Sequence, residues 1–126
     1  RSRTRRGWQG FACHLLIVMP SIDDPILFEY LKDVDWPHPW IRIDDDGLAK
    51  ELQRELCLGH PLYGCKCQAV AYSEEPNQYD DVIFLTNHPE YPIAFVHLTW
   101  KKETSPDFPF TFGYKTWDSF LAAQSV

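Results

Sequence analysis

The stretches DVIFLT at Asp81–Thr86 and IAFVHLTW at Ile93–Trp100 decide the fold class of this chain. Both are rich in β-branched and aromatic residues, and the second alternates along its length as a strand with two different faces does. The six residues between them contain asparagine and two prolines, which favour a turn. Because so short a connection brings neighbouring strands together in opposite directions, the two segments predict an antiparallel hairpin.

Two flanking segments extend this hairpin. CQAVAY at Cys67–Tyr72 alternates and precedes a polar turn, which predicts another strand. After the hairpin, the aromatic residues of SPDFPFTFGY share one parity and could line one side of a further strand. We therefore predict an α+β domain in which a three- to four-stranded antiparallel meander carries two or three helices packed on one face.

Three segments have helical patterns. Capping residues and a first-turn proline before an apolar repeat predict a helix at about 25–33. Asp44–Asp46 offers an N-cap and favourable charge for a second helix, which carries leucines at four-residue intervals and which we expect to end by Gly59. Thr116 is a cap for a short last helix.

The chain is acidic. Its formal net charge is −6, and because residues 1–18 carry +4, residues 19–126 carry −10. A surface of this sign disfavours nucleic-acid binding, which requires clustered lysine and arginine. It suits a basic protein partner, although an acidic surface that only maintains solubility is an equally open explanation.

The cysteines and the apolar segments indicate the compartment. The four cysteines are irregularly placed, which disfavours a disulfide scaffold and favours reduced thiols in the cytoplasm. No run approaches the roughly 20 apolar residues needed to span a bilayer. We therefore predict a cytoplasmic protein that does not act at a membrane.

Residues 1–18 differ from the rest of the chain, and three interpretations stay open. Four arginines precede the apolar run Phe11–Met19, as in a secretory signal, but no small-residue cleavage site follows. Because Met19 is the only methionine and capping residues follow it at once, residues 1–18 could instead lie upstream of the native start or have been added by cloning. The third interpretation is an N-terminal arm that packs on the domain. We divide the chain into residues 1–18, a flexible basic or upstream segment, and a single domain at 19–126.

Four motifs in a fixed order resemble a set of small, uncharacterised bacterial proteins. They are HPLYG at His60–Gly64, the pair Asp80-Asp81 before a strand, VHLTW at Val96–Trp100, and FPFTFGYKTWDSF at Phe108–Phe120. The resemblance covers about residues 46–121 and implies one compact domain, but it supplies no catalytic residue. Lys101-Lys102 departs from it, since a small residue and glycine are typical after the tryptophan.

Metal sites are disfavoured by spacing. Cys57, His60, Cys65 and Cys67 are zinc-compatible ligands within eleven residues, yet Cys-x-Cys is not the usual Cys-x-x-Cys knuckle, and buried thiols explain them as well. The acidic run ending at Gly47 fits no calcium loop, because no register places glycine sixth and glutamate twelfth. We therefore predict no metal site and no cofactor.

His97 is the main candidate for chemistry. Strict alternation would place it on one face of its strand with Ile93, Phe95 and Thr99. A histidine there is either a general base in a pocket, with Thr99 beside it, or a structural residue that ties the sheet to the C-terminal segment. Motifs for serine nucleophiles, phosphate loops and dinucleotides are absent.

These observations favour binding over catalysis. Our first hypothesis is an acidic cytoplasmic protein of the immunity or antitoxin type, which neutralises a basic toxin domain without an active site. The alternatives are a small enzyme or ligand-binding domain with a pocket around His97, and a structural or assembly domain with an open sheet edge. For the first hypothesis, the predicted partner-binding residues are Asp44, Asp45, Asp46, Glu51, Glu55, Trp36 and Trp40.

Overall fold

The computed structural model describes residues 29–31, 33–44 and 46–124. The first of these residues are helical, which places the end of the helix predicted at 25–33, while its beginning and the whole of residues 1–18 lie outside the described residues. The remaining elements, in chain order, are β1 (Trp40–Arg42), α1 (Gly47–Glu55), β2 (Cys67–Ser73), β3 (Asp81–Thr86), β4 (Ile93–His97), β5 (Phe110–Tyr114) and α2 (Trp117–Gln124).

The strands form one antiparallel sheet in the order β1-β2-β3-β4-β5. The predicted α+β class and antiparallel meander are confirmed, and the aromatic segment does supply a strand. The predicted count of three to four strands is too low by one, because β1 was missed. With only three residues, β1 is too short to show an alternating pattern, and its pairing with β2 is what makes it a strand.

Helices cover both faces of the sheet, so the prediction that they pack on one face is wrong. On one face, which we call the α1 face, Leu52 of α1 and Leu56, which directly follows the helix, pack with Val82, Phe84 and Val96. On the other, the α2 face, Phe120 of α2 packs with Leu31, Trp40, Ile83, Leu85 and Ile93. The sequence does indicate cover on both faces, because residues 82–85 are four successive apolar residues, as in a strand covered on both sides, and all four are buried.

The ends of the helices differ in detail from the predictions. Asp46 occupies the N-cap position of α1, but its side chain makes no capping hydrogen bond and instead lies 3.4 Å from Nζ of Lys50. The helix ends at Glu55, and Gly59 lies in the following turn with φ of +101°. The predicted cap of α2 is confirmed, since the Thr116 hydroxyl accepts a hydrogen bond from the backbone N–H of Ser119 at 3.0 Å.

His60 fastens the turn after α1 to the beginning of β5. The ring is buried, its Nδ1 accepts from the backbone N–H of Leu62 at 3.0 Å, and its Nε2 donates to the carbonyl oxygen of Pro109 at 2.9 Å. The Thr111 hydroxyl lies 3.1 Å from the same Nε2. The HPLYG and FPFTFGY motifs, about fifty residues apart in sequence, are thus in direct contact.

Candidate binding site

Side-chain hydrogen bonds join the beginning of β3 and the residue before it to the end of β4 and the loop that follows. Asp81 and His97 are register partners, and Nδ1 of His97 donates to Oδ1 of Asp81 at 2.6 Å. One residue earlier, Oδ1 of Asp80 accepts from the indole N–H of Trp100, also at 2.6 Å. The Asp80-Asp81 pair and the VHLTW segment therefore form one cluster at one end of the sheet.

Trp100 has an unusual conformation for a bulky residue. Its φ is +63°, in the left-handed region that residues with a Cβ atom adopt at a steric cost. Despite this, half of the residue (50%) is exposed to solvent. Its backbone N–H donates to Oε2 of Glu55 at 2.7 Å, so that Glu55 holds the backbone of Trp100 and Asp80 holds its indole.

The side chain of Glu55 holds the loop after β4, which contains Thr99 and Trp100, in place. It is fully buried at the end of α1 and accepts hydrogen bonds from the backbone N–H of Thr99 at 2.9 Å, the Thr99 hydroxyl at 3.1 Å and the N–H of Trp100. Its backbone carbonyl accepts from the N–H of Glu103 at 3.1 Å. The loop after β4 is therefore tied to α1 at its beginning and at its end.

Glu51, one helical turn before Glu55, shares a proton with it. The two side chains are hydrogen-bonded to each other, which requires that one of the two carboxyl groups carries a hydrogen. Desolvation and the hydrogen bond that Glu55 donates to Glu51 raise the pKa of Glu55 to about 7, although the N–H groups of Thr99 and Trp100 oppose that shift. Burial alone would raise the pKa of Glu51, but its bonds with Glu55 and Arg54 outweigh burial and lower it.

His97 lies beside this cluster but faces the other side of the sheet from Thr99. Its side chain is half exposed (49%), and among the described residues its Nε2 makes no hydrogen bond. Strand β4 ends at His97, and the hydroxyl of Thr99 turns toward Glu55 on the α1 face. The expectation that His97 and Thr99 share a face, and hence a pocket, is wrong because the alternation stops where the strand stops.

The residues predicted to bind a partner do not form one surface. Asp44 and Asp46 are exposed and line an open groove of about 490 Å³ between α1 and β2. Glu51 is paired with Arg54 through two bonds of 2.9 and 2.8 Å, while Glu55 is fully buried. Asp45 lies outside the described residues.

The two predicted tryptophan anchors belong to the packing on the α2 face. Trp40 is buried and its indole N–H donates to Oε1 of Gln124 at 2.9 Å. Trp36 is half-buried, donates to the carbonyl oxygen of Leu31 at 3.2 Å and makes edge contacts with Trp117 and Phe120. These contacts place both rings across the sheet from the acidic residues of α1.

Three of the four possible zinc ligands, His60, Cys65 and Cys67, are engaged in hydrogen bonds or resist ionisation. Both nitrogens of His60 bond to the protein, as described above. Burial raises the pKa of the Cys65 thiol, and burial together with Cys65 raises the pKa of Cys67 to about 12, which opposes the thiolate form that binds metal. Within the part of the chain that the structure describes, no three metal-binding side chains lie close enough to hold an ion.

Comparison with known proteins gives no assignment, because no family model, curated protein or solved structure matches the chain. Within the described ranges, no helix is long and apolar enough to cross a membrane. The site must therefore be interpreted from its own geometry. Sequence reasoning selected Glu55 and His97 but missed Trp100, Asp80 and Asp81 as site residues. The only signal for these three was that they lie in two of the motifs on which the resemblance to small bacterial proteins rests.

Proposed function

We propose that this protein is a non-catalytic binding protein of the immunity or antitoxin type, which docks a basic protein partner through the surface around Trp100. The observation that carries the proposal is the conformation of Trp100, a strained and half-exposed tryptophan held in place by two carboxylates. We place the docking surface here because Trp100 is exposed, whereas the two tryptophans predicted as anchors, Trp36 and Trp40, contribute to the packing on the α2 face.

The strain at Trp100 favours a binding role over a purely structural one. A non-glycine residue in a sparsely populated backbone region costs about 1–3 kcal/mol, and such residues concentrate at ligand clamps and active sites. If Trp100 served only to stabilise the fold, its ring would be expected to recover that cost through burial, yet half of the residue faces solvent. Tryptophan is also among the residues most enriched at interface hot spots.

The surface around Trp100 is mixed in charge, since Lys101 and Lys102 are exposed directly after it, and its exposed aromatic rings are the feature that suits a cationic partner. Tyr79, 59% exposed, precedes Asp80, and the His97 ring is half exposed on the same end of the sheet. Exposed aromatic rings beside carboxylates provide both cation–π contacts and ion pairing for lysine or arginine. The net charge of −6 adds long-range attraction, which accelerates association with a basic protein.

Site-specific photo-cross-linking in the native host tests this proposal. Benzoyl-phenylalanine placed at position 100 should capture a basic protein, whereas the same group at Tyr63, 51% exposed in the turn after α1, should not. Mass spectrometry of the adducts identifies the captured protein. The proposal fails if position 100 yields no specific adduct, if both positions yield the same adducts, or if the protein captured at position 100 is not basic.

One observation favours a second candidate function, an enzyme that uses His97 as a base. A carboxylate on Nδ1 and a solvent-facing Nε2 are the arrangement by which acid–base enzymes orient an imidazole. Hydrolysis of p-nitrophenyl acetate measures the reactivity of such a ring. This candidate requires that His97→Ala lowers the rate markedly more than His88→Ala, and equal rates would exclude a reactive His97.

A further inference from the structure

Strand β5 forms one edge of the sheet in the part of the chain that the structure describes. Among the described residues it pairs only with β4, and its five residues, FTFGY, include no charge and no proline. The opposite edge strand, β1, has three residues and carries Arg42. Charges, prolines and short length are the usual protections against pairing with another chain, and β5 has none of them within its span.

The backbone groups available on this edge follow from the alternation of the ladder. Antiparallel partners alternate between hydrogen-bonded and non-hydrogen-bonded pairs. Because the N–H of Leu98 donates to the carbonyl of Asp80 at 2.9 Å, the even-numbered residues of β4 point their backbone groups toward β3. The odd-numbered residues then bond to positions 110, 112 and 114 of β5. Thr111 and Gly113 therefore direct their N–H and C=O groups outward.

We propose that β5 pairs with β5 of a second copy, antiparallel and centred on Phe112. In this register Thr111 lies opposite Gly113 of the other copy, so that the outward N–H and C=O groups of both residues bond to each other. Phe112 lies opposite its own copy in a non-hydrogen-bonded pair, where side chains approach most closely. Phe110 lies opposite Tyr114, which makes every pair on the α2 face aromatic.

The register fits a second copy for three reasons. Phe110 and Phe112 are 54% and 53% exposed on one face, so pairing covers rings that are otherwise in water. Cross-strand aromatic pairs stabilise antiparallel strands. Gly113 is required to be small, since a Cβ atom there would lie 2.7 Å from the carbonyl oxygen of Glu90 and from the ring of Tyr91, and it leaves room opposite the branched Thr111.

The edge of β5 is distinct from the docking surface around Trp100, and binding at the two surfaces should respond differently to salt. Attraction of a basic partner weakens when salt screens unlike charges. Pairing of two copies, each with a net charge of −6 but joined through neutral strands, strengthens when salt screens their repulsion. Failure of one proposal therefore leaves the other standing.

Analytical ultracentrifugation of the full chain tests the pairing. From about 10 µM to about 1 mM we expect a reversible dimer, weak because a strand edge is a small interface, whose fraction rises with concentration and with salt. Phe112→Lys should raise the dimer dissociation constant about tenfold or more by placing like charges opposite each other. Phe108→Lys is the matched control, because Phe108 is 50% exposed but precedes the strand, and it should shift the constant by less than about threefold.

Amide hydrogen exchange of the unmodified chain supplies a readout that needs no variant. The Thr111 and Gly113 amides should exchange more slowly as concentration rises. A chain that is monomeric across this range, or a dimer that both lysine variants weaken equally, overturns the proposal. A monomer in which both amides are nevertheless protected also overturns it, because another segment of the same chain would then occupy the edge.

Discussion

Glu55 is a carboxyl group whose ionisation the fold opposes. Its pKa is raised to about 7 by burial and by Glu51, above the ordinary value of 4.5, so between these values Glu55 is more fully protonated in the folded chain than in the unfolded chain. The stability associated with protonated Glu55 is therefore complete below about pH 4.5 and is lost as pH rises through about 7. One pKa unit corresponds to about 1.4 kcal/mol, which makes the whole effect on the order of 3 kcal/mol.

Glu55→Gln should remove this dependence. Glutamine keeps an acceptor oxygen for the N–H groups of Thr99 and Trp100 but cannot ionise. We expect the unfolding free energy of the wild type minus that of the variant to fall as pH rises from 4.5 to 7, as measured by urea denaturation. Asp107→Asn, which alters an exposed carboxyl that forms no ion pair with a described residue, should show no such slope over the same range. A difference for Glu55→Gln that is flat or rises with pH would contradict the assignment.

The free-energy cost of the positive φ at Trp100 can be measured by comparing two substitutions at that position. Glycine adopts positive φ without steric cost, whereas alanine carries the same Cβ penalty as tryptophan. Trp100→Gly should therefore be more stable than Trp100→Ala by about 1 kcal/mol, although glycine is the less stable residue in ordinary extended or helical backbone. Urea unfolding of the two variants gives the comparison, and an alanine variant as stable as the glycine variant would mean that Trp100 is not strained.

At the scale of elements, His60 joins the turn after α1 to β5, and His88 offers a matched comparison. Both rings accept a backbone N–H at 3.0 Å, but His60 is buried and His88 is only partly so. His60→Ala should lower the unfolding free energy by about 1–3 kcal/mol, since it leaves the N–H of Leu62 unsatisfied in the interior and removes one of two hydrogen bonds to the carbonyl of Pro109, the other being donated by the Thr111 hydroxyl. His88→Ala should cost less than about 1 kcal/mol because water replaces its ring. Equal losses in thermal or urea unfolding would show that His60 does not join these elements.

The strands were predictable and the placement of the helices was not. Alternation and turn residues are local signals, and they located β2, β3, β4 and β5 to within a few residues. Helix α1 was found from its leucine spacing, but which face of the sheet it covers depends on chain connections that periodicity does not encode. The buried run at 82–85 was the one local indication of cover on both faces.

In the candidate site, too, the features that were not predicted depend on contacts between distant parts of the chain. Tryptophans 36 and 40 attracted attention as anchors because they flank a proline-rich turn, yet long-range packing on α2 buries or half-buries them. Trp100 was passed over because its exposure depends on a left-handed backbone angle held by Glu55, 45 positions earlier in the chain. Neither fact can be inferred from neighbouring residues, since both depend on contacts between distant parts of the sequence.

At the scale of the whole molecule, the protein presents two surfaces of different character. The loop after β4 displays Trp100 beside carboxylates, and the edge of β5 displays neutral backbone flanked by phenylalanines. A chain with a net charge of −6 should bind a basic partner less tightly as ionic strength rises. The salt dependence of the affinity therefore reports which surface a given partner uses.

The most direct test of the docking surface is the dissociation constant for the purified partner that position 100 captures, measured at low and high salt. We expect Trp100→Ala to weaken binding by about thirtyfold or more, as for a hot-spot residue, and Tyr63→Ala to change it by less than about threefold. Wild-type binding should weaken as salt increases. Equal affinities for the two alanine variants, or an affinity that does not depend on salt, would contradict the proposal that Trp100 anchors a basic protein.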